Sequence, residues 1–184
     1  MLPSVASYVQ WLVAHRQNRL ETLILWADKW KEFAVSSLRQ QRLKKLVEIA
    51  HTYGINYGID IPISEIQQHS WRLVTSIDAS LEQQTKEIQE TIDWLMVAQF
   101  DYFSSENGIT EFTHANCTLD LQWMNIATLY ALEKYNRPFY IKCHCSAGQT
   151  CTDYKGGNFL SFIFDCLFKF LFYIRSSYWK TNQL

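Results

Sequence analysis

The sequence predicts an α/β fold built on a parallel sheet. Short strand-like runs alternate with helical patterns along most of the chain, which is the signature of strands crossing over through helices. The clearest unit lies within Phe100–Cys145. Phe100–Glu106 and Phe139–Cys145 read as strands, and one bounded helical pattern, Leu119–Tyr135, separates them. Units of this kind place their strands parallel. Both strand runs start apolar and end in reactive side chains: Glu106 on the first, Lys142 and His144 on the second. Ligands of such folds collect beyond the carboxyl ends of the strands, so the pattern that predicts the fold also predicts where a site lies.

The elements follow in order. Val5, Tyr8, Val9, Leu12 and Val13 have helical spacing within Met1–Arg19, and Ser4 is the expected cap. Leu20–Trp26 reads as the first strand. From Asp28 a long helix is expected to about His51, with Arg39, Arg42, Lys44 and Lys45 on its wet side and Gly54 at its carboxyl end. Ile55–Ile61 is the second strand, and Pro62 ends it. Ser64-Glu-Ile-Gln67 and Ser80-Leu-Glu-Gln83 both match capping boxes. The first implies a short helix through Trp71. The second opens a helix with Ile88, Ile92, Leu95 and Met96 on its inner face. Thr118 is the expected cap of the next helix, with Leu121, Met124, Leu129 and Leu132 facing inward. Asn136-Arg137-Pro138 stops that helix before the fourth strand.

Composition bounds the function. The 184 residues fit one domain with a sizeable core, because 48% are hydrophobic. A net charge of −1 argues against nucleic acid as a partner. No secretory signal opens the chain, and five cysteines cannot all pair within it, so a cytoplasmic setting with reduced thiols is expected. Asn116-Cys117-Thr118 is a glycosylation sequon by spelling alone. Cys143, Cys145, Cys151, His114 and His144 fit no standard zinc spacing. Neither a metal nor another cofactor is expected.

Strand alternation sorts the polar residues by face. Asn56, Gly58 and Asp60 share one face of the second strand, opposite Tyr57, Ile59 and Ile61. Tyr102, Ser104 and Glu106 share one face of the third. Tyr140, Lys142 and His144 share one face of the fourth. If the aliphatic faces meet the helices, Asp60, Glu106, Lys142 and His144 converge from different strands as the catalytic group. Gln68, His69 and Trp71, from the stretch after the second strand, would line the mouth. Asn107, Glu111 and His114, from the end of the third strand and the loop after it, would join them in holding a small-molecule or carbohydrate substrate.

Over about residues 1–150 this pattern resembles the first half of a (β/α)8, or TIM, barrel. The domain is expected to span 1–157. Ser105-Glu106-Asn107-Gly108 is similar to the Glu-Asn-Gly tripeptide of a family of retaining β-glycosidases. That resemblance implies a glycoside hydrolase in which Glu106 is nucleophile or acid/base and Asp60 its partner. The family's Asn-Glu-Pro acid motif is absent from this chain. Lys142 with Ser146 and Gly148 resembles the strand end of Schiff-base aldolases, which implies a lyase with Lys142 as the amine. A third expectation is an inactive, truncated barrel, since four strands do not close one.

Residues 158–184 break the pattern. Phe159, Leu160, Phe162, Ile163, Phe164, Leu167, Phe168, Phe170, Leu171, Phe172 and Ile174 would surround a helix on all sides. Asp165 and Lys169 interrupt the run, so the first expectation is a poorly packed helix that covers exposed sheet or is left partly bare, and membrane contact through 159–174 is the second. Further chain or self-association would then complete the cover of the sheet.

Overall fold

A computed structural model describes residues 2–25, 35–64, 71–108 and 117–144. Their order is α1 (Leu2–Ala14), β1 (Arg19–Leu23), α2 (Ser37–Thr52), β2 (Asn56–Asp60), α3 (Leu81–Met96), β3 (Tyr102–Gly108), α4 (Cys117–Tyr135) and β4 (Phe139–His144). The strands form one four-stranded parallel sheet in the order β1-β2-β3-β4. By its contacts the chain divides into two units. The first is Met1–Asn107 with Phe112–Cys143. The second is Gly108–Glu111 with His144–Leu184, of which only Gly108 and His144 are described. The expected boundary at 157/158 and the apolar run 159–174 lie outside the described residues. Among the described residues no helix is long and apolar enough to cross a membrane.

Local chemistry sets the helix ends. Ser36 caps α2 by accepting the Arg39 N–H at 3.2 Å, and Ser80 caps α3 by accepting the Gln83 N–H at 3.3 Å. Gly54 takes φ +74°, which a side chain would resist. The N–H groups of Gly54 and Ile55 then reach back to the carbonyls of His51 and Ala50, both at 3.0 Å, and close α2. Asn136 does the same work after α4 at φ +52°, where the amide side chain tolerates the left-handed region.

Three expected caps fare differently. Ser4 lies inside α1, which begins at Leu2. Thr118 lies inside α4, which begins at Cys117. The capping box at Ser64 opens onto residues 65–70, outside the described part. Of the long helix expected from Asp28, the described part is Ser37–Thr52, and residues 28–34 lie outside the described residues.

The core lies between one face of the sheet and the helices. Tyr57 and Ile59 of β2, with Ile61 just beyond it, join Phe103 and Phe139 against Val9, Leu43, Val47, Ile88, Ile92 and Leu95. Phe103 and Phe139 stack at 5.8 Å. Helix α4 corrects the sequence reading. Its buried stripe is Asp120, Trp123, Met124, Ala127 and Ala131, whereas Leu129 and Leu132 are only partly covered. Alanine lets the helix approach closely, and the buried Trp123 Nε1–H donates to Gln84 Oε1 of α3 at 2.8 Å. The leucines offered no clear stripe, because apolar residues lie all round this helix.

Candidate functional site

The face of the sheet away from the core carries the polar residues. Register makes this explicit: Glu21 of β1, Gly58 of β2 and Tyr102 of β3 lie side by side, and Leu23, Asp60 and Ser104 lie side by side one step further on. Lys142 of β4 donates to Asp60 Oδ2 at 3.0 Å and to Glu21 Oε1. Ser104 Oγ donates to the other Glu21 oxygen, Oε2, at 2.6 Å. Four side chains from four successive strands thus form one cluster.

That cluster requires curvature. Neighbouring strands lie about 4.8 Å apart, so on a flat sheet the side chains of β1 and β4 would stand roughly 14 Å apart and parallel. Lys142 reaches Glu21 only because the sheet bends and its inner side chains converge, as in the wall of a barrel. Arg19 repeats the point, since its guanidinium sits 5.6 Å from the Tyr102 ring centre and 5.5 Å from that of Tyr140. The two rings meet edge to face at 5.6 Å, and Tyr102 donates its hydroxyl proton to the Leu20 carbonyl at 3.2 Å.

The electrostatics follow from the geometry. Partial burial pulls the Lys142 ammonium toward the neutral amine, but its hydrogen bonds and charge attraction to Glu21 and Asp60 outweigh that pull. Its pKa is therefore above the ordinary lysine value. Burial and the nearby Glu21 carboxylate push the Tyr102 phenol up, so it stays a neutral donor.

Of the residues picked from sequence, Asp60 and Lys142 meet directly. Glu106 and Asn107 lie in β3 and His144 closes β4, with side chains outside the described part. Gln68, His69, Glu111 and His114 also fall outside it. Trp71 is placed in the core instead of at the mouth. It is 6% exposed, packs edge-on against Trp94 at 4.6 Å, and lies under the Arg39 guanidinium. Its indole is spent on packing, and its N–H backbone group is held by the Ile24 carbonyl at 2.7 Å. Among the described residues no three His, Cys, Asp or Glu side chains are grouped to hold a metal ion.

Sequence reasoning missed Glu21. The run Leu20-Glu-Thr-Leu-Ile-Leu reads as apolar, which drew attention from its one acid. The signal available was phase: Glu21 alternates with Leu20 and Thr22 and is the only carboxylate in the strand.

No protein-family model and no curated protein matches the chain. Solved structures do. CpGH84B matches with a TM-score of 0.51 and 10% identity, over 77% of this chain and 24% of that one. A mutant O-GlcNAc hydrolase from Thermobaculum terrenum matches with a TM-score of 0.55 and 12% identity, over 76% of this chain and 31% of that one. The chain thus spans about a quarter to a third of the length of the structures it matches. At these identities the likeness is one of fold, and the fold is part of a TIM-type barrel.

Proposed function

We propose that this chain contributes βα units to a barrel hydrolase that cleaves glycosidic bonds by carboxylate chemistry. The observation that carries the reading is the convergence of Glu21, Asp60, Ser104 and Lys142 on one concave face, with Asp60 at the carboxyl end of β2. Catalysis in this fold takes place at that end of the strands. Glycosidic cleavage needs two carboxyl groups in different environments. Asp60, paired with an ammonium, supplies the ionised one. Glu106, two residues beyond Ser104 in β3, is the second, as acid/base or nucleophile. Asn107, Gln68, His69, Glu111 and His114 are the proposed substrate contacts, and Lys142 and His144 tune the charge. The likeness to an O-GlcNAc hydrolase makes N-acetylated amino sugars the first substrates to try. The raised pKa of Lys142 favours this reading over a Schiff-base lyase, because a protonated lysine cannot attack a carbonyl.

The test is a panel of chromogenic aryl glycosides, including N-acetylglucosaminides, offered to the full chain. Turnover is expected, and Glu106→Gln should lower kcat by roughly a hundredfold or more without altering the fold. No cleavage of any glycoside, or an unchanged rate in Glu106→Gln, would overturn the proposal.

A further inference from the structure

We propose that Glu21 is a positioning residue of this site, one that fixes Lys142 as a permanent cation at Asp60. The inference rests on the reading above for the existence of a site, and on geometry for the role. Both Glu21 oxygens are spent on the inner face: Oε1 on the Lys142 ammonium, Oε2 on the Ser104 hydroxyl at 2.6 Å. Asp60 holds the same ammonium at 3.0 Å. The two bonded carboxylate oxygens can be no further apart than those two contacts laid end to end. A lysine is a flexible point charge, and one carboxylate alone would leave it free to swing. Two carboxylates on different strands, one of them braced by a third strand through Ser104, restrict it to one place.

Stability is a poor explanation for this arrangement. The side chains of Glu21, Asp60 and Lys142 are 26%, 17% and 37% exposed, so all three have lost much of their hydration. Partly buried ion pairs of this kind return little net stability, because desolvation offsets their attraction. What the arrangement does provide is a fixed positive charge beside a carboxylate, which suits a substrate oxygen that gains negative charge in the reaction.

The measurement is the titration of Lys142 itself. The full chain is labelled with 13C at lysine Cε and followed by NMR, with Lys142 assigned by its disappearance in Lys142→Met. In the unaltered chain Lys142 should titrate above the ordinary lysine value. In Glu21→Gln the midpoint should fall by about one unit, which raises the ratio of amine to ammonium roughly tenfold at a fixed alkaline pH. Asp60→Asn should lower it similarly, and serves where Glu21→Gln does not fold. The proposal is overturned if Lys142 titrates at the ordinary lysine value in the unaltered chain, or if a folded Glu21→Gln leaves its midpoint where it was; where Glu21→Gln does not fold, an unmoved midpoint in Asp60→Asn overturns it. The titration needs no substrate, so it can fail while glycosides are cleaved, or succeed while none is.

Discussion

The Tyr102 ring lies across β2 where Gly58 presents no side chain. A Cβ at position 58 would overlap the Cε2, Cζ and Cδ2 edge of the ring. The tyrosine thereby reaches from β3 to the Leu20 carbonyl of β1. Gly58→Ala should destabilise the protein by about 1–3 kcal/mol through overpacking, measured by urea unfolding. Most of that loss should vanish when Tyr102 is also alanine, since neighbours in contact are not additive. An equal penalty in both backgrounds would mean that the ring is not what Gly58 makes room for. Single residues also show how far sequence reading goes. Alternation alone brought Asp60 and Lys142 together, because the period of a strand is two and both lie in well-bounded runs. Glu21 escaped notice because its contact spans the whole sheet. Trp71 was placed wrongly because an indole near a strand end suits a sugar or a core equally well, and only its packing against Trp94 decides.

Between α3 and α4 a polar clamp joins elements whose main contact is apolar. Asp93 accepts from Tyr130 at 2.9 Å, Tyr135 at 2.6 Å and Lys134 at 2.9 Å. Burial alone would raise the Asp93 pKa, yet the hydrogen bonds from Tyr135, Lys134 and Tyr130 win and it lies below the usual value. Burial and the bond to Asp93 push the Tyr135 phenol up to about 12, and the Lys134 ammonium is likewise held above its ordinary pKa, chiefly by Tyr130 and Asp93. A depressed carboxylate adds stability that is complete above the unfolded aspartate value of about 3.9 and fades as pH falls through the folded one. The raised lysine and tyrosine add stability that is complete below about 10 and fades as pH rises through their folded values. The difference in unfolding free energy between the unaltered chain and Asp93→Asn should therefore be flat at neutral pH and shrink at both ends. The clamp is exposed, so the plateau should be small. A difference that stays constant down to about pH 2 would contradict the linkage. The helices also divide into what was legible and what was not. Caps at Ser80 and Gly54 could be read, because each depends on one residue's own geometry. The inner face of α4 could not, because it depends on what α3 presents to it.

At the scale of the whole molecule, alternation of strand and helix sufficed for a parallel sheet in sequential order. Curvature was a weaker inference, since nothing local in β1 or β4 states that their side chains meet. It takes the contact of Lys142 with Glu21, and of Arg19 with Tyr102 and Tyr140, to show it. Those contacts are also why the site could be read only in part: a cluster drawn from four strands is a property of the bend, and each strand supplies one member with little sign of the rest.

The Trp71–Trp94 pair has an optical consequence. Indoles with centres 4.6 Å apart and planes at 65° couple their electronic transitions. Such coupling writes a paired positive and negative band into the ultraviolet circular dichroism, distinct from the signal of the backbone. Trp71 follows β2 and Trp94 belongs to α3, so the band reports whether that segment is seated on that helix. The protein carries its own label for the event, read in solution without dye or isotope.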